Sequence, residues 1–492
     1  MKLYTLLLIG LLVLSGSLFF FFQKKDSADT SLPKGEEAQP FARFVSDSDQ
    51  QAVPFPMPEI PELTFPDRTC DVTDYQAVGD GKYVNTESFR LAIADCAQMG
   101  GGTVRVPAGT WLTGPIRLQS NINFHLEDGA KILFSNTFSD YLPVVLTRFE
   151  GMELYNYSPF ISAKDCSHIA ITGKGELDGN GDEWLKWNDI MLDSITGRES
   201  DSSTPLKKVS TNKLHDMAAR GVPVEKRIFG TERDALQPTF IEFMSCNNIL
   251  VEGVEITNSP GWTLHPVYSE NITVKNIFIN TSNRNTDGVV IDSSRNVMVK
   301  DSSFNTGDDA VVIKSGKDHD GWRVGKPSEN IIIHDITVED GNSGVAIGSE
   351  MSGDIRNVLI YKINIQVADF GIRFKSMPGR GGVVENIWVR DVFMRRISYG
   401  AIQIELNYGT PISGYQKDKL PVFRNIEIKN VECRRTKEAI VLIGLPESPL
   451  TNITLENLLI LSSKGIDFEN VENRTIKNVT VTAKEGKPLS IE

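Results

Sequence analysis

Asn285-Thr286-Asp287-Gly288, Thr306-Gly307-Asp308-Asp309 and Arg373-Phe374-Lys375 form the stretch that decides how this chain reads. Around these clusters a short pattern recurs: an Asn, then Ile or Val, then alternating apolar residues. Asn248-Ile249, Asn271-Ile272, Asn296-Val297, Asn330-Ile331, Asn357-Val358, Asn386-Ile387, Asn425-Ile426 and Asn452-Ile453 each open such a run, at spacings of 23, 25, 34, 27, 29, 39 and 27 residues. A period of roughly 20 to 50 residues is the mark of a stacked-repeat architecture. The runs are short and apolar or alternating, as in Ile331-Ile332-Ile333 and Ile387-Trp388-Val389, with little sustained helical periodicity. That disfavours helical solenoids and predicts a parallel β-helix; a propeller or sandwich would need hairpin signals that are missing. Asn suits the turns because it tolerates the left-handed conformation and bonds its own backbone. Repeated on stacked turns, it can also form an internal ladder.

Length and composition agree. The chain has 492 residues, 40% of them hydrophobic, enough for a core in one long array. A formal net charge of −13 argues against a general polyanion-binding surface, so no nucleic acid partner is expected. An acidic substrate stays open, because a local cluster of cations suffices to bind one. Five widely spaced cysteines make no dense disulfide framework: a Cys70–Cys96 bridge is conceivable, and buried free thiols are the preferred reading. The six histidines show no metal-ligand spacing, and neither metal nor cofactor is expected.

Residues 1–25 carry an apolar run from Leu3 to Phe22 between Lys2 and Lys24-Lys25, long enough to be a signal peptide or a membrane anchor. Either implies export to the periplasm, the cell surface or the medium. Residues 26–66 turn polar and then proline-rich, which predicts an extended linker. The domain proper is expected over 67–492. It opens with a helix over Thr86 to Gln98, N-capped by Asn85 or Thr86, that covers the first coil. Trp184 to Pro238 breaks the repeat; it holds Arg220, Lys226, Arg227 and Arg233 and reads as an insertion walling a cleft, with a disordered surface loop as the alternative.

Asp287 and Asp308 stand 21 residues apart, about one coil. One coil up means a neighbouring strand at ~4.8 Å, so Asp287 can sit beside the Asp308-Asp309 pair. Three carboxylates that close cannot all stay ionised cheaply, and at least one pKa should rise. A glycosidase needs that: one protonated carboxyl for the leaving oxygen, and an ionised one for water or the sugar. Arg373 and Lys375, at i and i+2 of a strand, point to one face and together suit a carboxylate. Lys314, Lys317, Arg323 and Lys326 add a basic neighbourhood. A uronic-acid polymer fits these cations better than a neutral glucan.

Asn285-Thr286-Asp287, Gly307-Asp308-Asp309 and Arg373-x-Lys375, in this order, resemble the signature of the polygalacturonases, glycoside hydrolase family 28. The likeness extends to Ser259-Pro260-Gly261-Trp262-Thr263-Leu264-His265-Pro266 and Ile347-Gly348-Ser349-Glu350, and covers about residues 68 to 480. It implies a right-handed parallel β-helix and inverting, metal-free hydrolysis of α-1,4-galacturonosyl bonds in an acidic plant polysaccharide. Carried over, Asp308 would be the general acid, and Asp287 and Asp309 would position and activate water. Arg373, Lys375, Tyr408, His265 and Asn285 would bind substrate. One motif departs. The family's Gly-His-Gly is replaced by Gly341-Asn342-Ser343-Gly344, a change tolerated in branches acting on rhamnogalacturonan or side-chain uronides. The other classes consistent with a β-helix are a calcium-dependent pectate lyase and a non-catalytic glycan-binding module. Long segments at Trp184–Pro238 and Gly409–Pro421 favour exo action.

Overall fold

The Asn-led repeats are coils of a parallel β-helix. In this computed structural model the described residues are 53–188, 190, 205–409, 418–485 and 489–491. The leader or anchor expected over 1–25 and the first part of the linker lie outside them. Strands Ser167–Gly173, Asn247–Glu252, Glu270–Lys275, Arg295–Thr306, Ser328–Asp340, Ile355–Lys375, Val383–Glu405, Val422–Ile443 and Leu450–Glu469 pair in parallel, each with the next. The crossovers are right-handed, as parallel connections are.

Register explains the repeat. Ile249, Ile272, Val297, Ile331, Val358, Ile387, Ile426 and Ile453 stack in one column, and all are at most 1% exposed. The residue before each is the Asn, held at φ between 55° and 58° in every coil. From Asn271 onward its side-chain amide donates to the Asn one coil below, at 2.9–3.3 Å through Asn452. The ladder expected from the sequence is therefore continuous over eight coils. Outside it runs a column of alternating charge, with Arg295 on Glu270, Arg356 on Glu329 and Arg424 on Glu385. Like charges directly opposite would repel; alternation avoids that.

The N-terminal coil is covered as expected by the helix Thr86–Gln98, whose Phe89 meets Phe124 edge-on at 6.0 Å. The expected cap is not made. Asn85 occupies the N-cap position, but its amide is spent on Val78, Tyr83 and Leu112, tying the entry loop to the strand Gly109–Thr113. Thr86 instead accepts from the Gly114 amide at 2.7 Å. The described end of the linker, residues 53–66, has no helix or strand, yet it is not free. Phe55 is buried against Ile332 and Leu359 on the outer flank, 5.8 Å from the Trp388 ring. All five cysteines are free thiols, four of them buried.

The insertion is the main surprise. Its described residues fold against a β-hairpin, Val145–Phe149 and Met152–Asn156, that the sequence did not announce. Ile228–Phe229 adds a third strand to that hairpin, and the helix Leu206–Ala219 packs Leu214 and Ala218 onto Phe149, Met152 and Leu154. A small second core thus rises beside the solenoid, and the described part of the insertion is packed on it. Residues 191–204 lie outside the described ones.

Asn357 gives a test of the ladder. Asn357→Ala loses the bonds to Asn330 and Asn386 and forces a Cβ-bearing residue without a compensating side-chain bond into φ 57°. We expect a loss of about 2 kcal/mol in denaturant unfolding. Asn357→Gly should recover only the backbone share, a smaller loss; equal losses for both would show that the amide ladder carries everything.

Candidate active site

Two turns on successive coils carry the acids. Asp287 lies between strands Phe278–Thr281 and Val289–Asp292; Asp308 and Asp309 lie between Arg295–Thr306 and Val311–Lys314. Val289 registers with Val311, so Asp287 stacks on Asp309, and Asp308 projects beside the pair. Two glycines let the coils close up. A Cβ on Gly307 would lie 1.7 Å from the Asn283 carbonyl oxygen, and one on Gly288 would lie 2.3 Å from that of Ala310. Thr286 then bolts the turns together: its hydroxyl donates to the Thr281 carbonyl at 2.8 Å and accepts from the Gly307 amide at 3.2 Å. One carboxylate oxygen from each of Asp287, Asp308 and Asp309 lies within 4.8 Å of the others.

The three acids differ in environment. Asp287 and Asp309 are buried, while Asp308 remains partly open to the cleft. Burial pushes Asp287 well above the usual carboxylate range, and the charge of Asp308 adds to it. Burial and then Asp309 push Asp308 up to about 6. Asp309 goes the other way. Burial opposes its charge, but Lys375, Lys314 and the Ser343 hydroxyl more than offset that and hold it low. Lys375 Nζ sits 2.9 Å from Asp309 Oδ2. Lys314 is buried one rung above Asp292, 2.8 Å from Glu350 and under the Trp262 ring at 4.9 Å. The cluster therefore holds an ionised carboxylate and a pair, Asp287 and Asp308, that retains a proton more readily than ordinary aspartates.

The remaining expected residues fall into place unevenly. Arg373 stacks on Phe370 at 3.6 Å, lies 5.2 Å from the Tyr408 ring, and reaches Glu405 at 3.3 Å. Asn342 stands near the missing histidine and accepts from Arg373 at 3.3 Å and from the Ser343 hydroxyl at 3.4 Å. Tyr408 is half-buried beside both cations. Asn285 lines a small cavity with Phe149, Glu150, Gln237 and Trp262. His265 is placed elsewhere than expected. It is fully buried, edge-on under Trp262 at 5.0 Å, between Glu242 at 3.5 Å and Asp292 at 3.4 Å. From there it braces the cleft floor and offers a sugar no surface. Of the basic neighbourhood only Lys314 touches the acids' field; Lys317 pairs with Glu150, Arg323 with Glu153 and Asp320, and Lys326 lies over Tyr268.

Lys207 escaped the sequence reading. It stands in the first turn of the insertion helix, 5.8 Å from the Phe149 ring centre. Burial lowers its pKa, and the opposing attraction comes from Glu150, Asp308 and Asp287, which places its ammonium in the acids' field. Of the four cations first noted in the insertion, Arg220 pairs with Asp216, and Arg227 is buried against Asp320 at 2.7 Å. No spacing rule could have singled out Lys207, because the wall that carries it is built from segments more than 50 residues apart.

Comparison with known proteins gives the geometry a family. The model of glycosyl hydrolases family 28 matches residues 226–484, more than half of the chain. A probable polygalacturonase of Vitis vinifera is 30% identical over 80% of this chain and 74% of its own length. An exo-poly-alpha-D-galacturonosidase of Dickeya chrysanthemi is 27% identical over 84% of this chain and 75% of its own. Among solved structures, the hyperthermoactive exopolygalacturonase of Thermotoga maritima is 39% identical with a TM-score of 0.79, covering 88% of this chain and 96% of that one. This chain belongs to glycosyl hydrolases family 28, and it is a glycosidase of the polygalacturonase kind.

Proposed function

We propose that the protein hydrolyses α-1,4-galacturonosyl linkages of pectic galacturonan from a chain end, by single displacement with inversion. The observation that carries this reading is the meeting of three carboxylates within 4.8 Å beside Lys375 and Arg373. Asp308, the acid most open to the cleft, donates its proton to the glycosidic oxygen as the bond breaks. Asp287 and Asp309 flank the water that attacks the anomeric carbon, and Asp309, the ionised one of the two, takes its proton. Lys314 and Lys375 hold Asp309 ionised until that step. Arg373, framed by Phe370 and Tyr408, meets the uronate carboxylate by exchanging its bond to Glu405. Isolated inverting pairs are usually about 6.5–9.5 Å apart, wider than this cluster. Inversion here rests on two carboxylates sharing one water, and on the resemblance of the motif set.

A calcium-dependent eliminase would use the same carboxylates as metal ligands. Asp309 is already compensated by Lys375 and Lys314, so a divalent cation would have to displace a buried lysine contact. Exo action is supported by the wall. The insertion helix packs on the hairpin 145–156, and its Lys207, beside Phe149 and in the field of Asp308 and Asp287, suits the carboxylate of a terminal uronate. The exo-acting relatives of Dickeya and Thermotoga agree.

Asp308→Asn should cut turnover on polygalacturonate by about 10²–10⁴-fold. The same variant should melt higher than wild type near pH 8 and equally near pH 4. The sign follows from the raised pKa: ionising Asp308 costs native stability as pH climbs from about 4 through about 6, and Asn escapes that cost. A variant with lost stability at pH 8 would contradict the strained acid.

In wild type, kcat/KM should fall as pH rises through about 6, where the acid loses its proton. A rate that keeps rising above pH 7 would remove Asp308 from the acid role.

Product analysis tests the rest. Monomer should appear from the first minutes, and proton NMR should show the β-anomer first from the α-linkage. A ladder of oligomers refutes exo action, a first-formed α-anomer refutes inversion, and an EDTA-sensitive unsaturated product refutes hydrolysis.

A further inference from the structure

Away from the cleft, two thiols face each other across adjacent coils. Ser167 registers with Asn247, so the residues just before them, Cys166 and Cys246, stack one on the other. The Asn247 amide donates to the Cys166 carbonyl at 3.0 Å, which fixes that register at the cysteines themselves. In-register neighbours lie ~4.8 Å apart, inside the Cα separation of about 4.4–6.8 Å that disulfides adopt. Each thiol is turned to a backbone carbonyl of its own coil, Cys166 to Lys164 at 3.2 Å and Cys246 to Met244 at 3.3 Å. Later coils place serine at the same position. Ser269, Ser294 and Ser328 continue the column, each hydroxyl accepting the amide of the coil before at 3.0–3.2 Å. Cysteine stands in the column only where two coils can be joined.

The site is accessible and lopsided. Both cysteines line a surface cavity of about 640 Å³, shared with Tyr268, Lys326 and Glu270. Cys166 is half-buried and Cys246 buried. The neighbouring Cys246 thiol draws the Cys166 thiol down to about 6, with Ser120 assisting, while the Cys246 thiol is pushed up. Cys166 is thus the thiolate that reacts first, and Cys246 is placed behind it to resolve the adduct.

We infer that Cys166 and Cys246 form a cross-coil disulfide when a disulfide oxidant reaches them. The Cys166 thiolate attacks one sulfur of the oxidant and expels the other as a thiolate. Cys246 then gives up its proton and attacks Cys166 Sγ, releasing the second thiolate. Two electrons and two protons leave the protein, and the oxidant becomes two thiols. The loop so closed runs from 166 to 246 and contains the whole insertion, so the bond pins both ends of the segment that walls the cleft. Long closed loops restrict the unfolded chain most, so the effect falls on stability rather than on chemistry.

Oxidised glutathione is the probe, followed by alkylation under native conditions and non-reducing peptide mapping. Wild type should lose the mass of two hydrogens and yield one linked peptide pair joining Cys166 to Cys246, reversed by dithiothreitol. Cys246→Ser, tolerated because serine fills the column elsewhere, should stop at a glutathione adduct on Cys166. Oxidised wild type should inactivate more slowly on heating than reduced wild type, and the Cys166→Ser, Cys246→Ser double variant should show no such difference while keeping reduced wild-type activity. A wild-type protein whose Cys166 and Cys246 remain separately alkylated, or whose Cys166 carries only glutathione, overturns the inference.

Discussion

Coils stacked in register at ~4.8 Å leave no freedom over which side chains meet. Whatever stands at one position of a coil stands directly over its counterpart in the next. That constraint builds the aliphatic columns and the Asn ladder, where stacking like on like is favourable. At the site it forces Asp287 over Asp309, where stacking like on like is costly. The rest of the site answers that cost. Lys314 and Lys375 are buried against the acids, Ser343 helps them hold Asp309 low, and the uncompensated remainder appears as raised pKa values on Asp287 and Asp308. The strain left in the pair keeps Asp308 protonated up to a pH of about 6, which is what the proposed proton donor needs.

The same register explains the second layer. Lys314 sits over Asp292, which also takes Arg148 at 3.0 Å, and His265 bridges Asp292 and Glu242. This charged network is buried under Trp262 and holds the floor on which Val290, Val312 and Ala346 lie. Buried charges of this kind are tolerated when each is paired, and removing one partner costs far more than the pair contributes. The wall beside this floor has its own separate, small core.

The sequence made the solenoid legible because its signal is local: an Asn that needs a left-handed turn, then alternating apolar residues, repeated. The convergence of the acids was legible for the same reason, since 21 residues is close to the coil period. What register or packing over long separations decides was not legible. The hairpin 145–156 was missed because its strands pair around Gly151 without a hairpin dipeptide signal. Lys207 was missed because its neighbours Phe149 and Glu150 come from that hairpin. His265 lies in a quoted motif, but only packing shows it under Trp262 instead of in the cleft. Asn85 looked like a helix cap and proved to be a loop clasp. Cys166 and Cys246 seemed unrelated because the insertion separates them, whereas the nearer Cys70 and Cys96 drew attention.

The central claim is that the acids, the cation pair and the closed end address one linkage at the end of a chain. A crystal structure of Asp308→Asn with trigalacturonate bound tests it most directly. The account predicts the glycosidic oxygen next to residue 308, one uronate against Arg373 and Tyr408, and the terminal uronate stopped by Phe149 and Lys207. An oligosaccharide that passes the wall at both ends, or that lies with no glycosidic oxygen near residue 308, contradicts it.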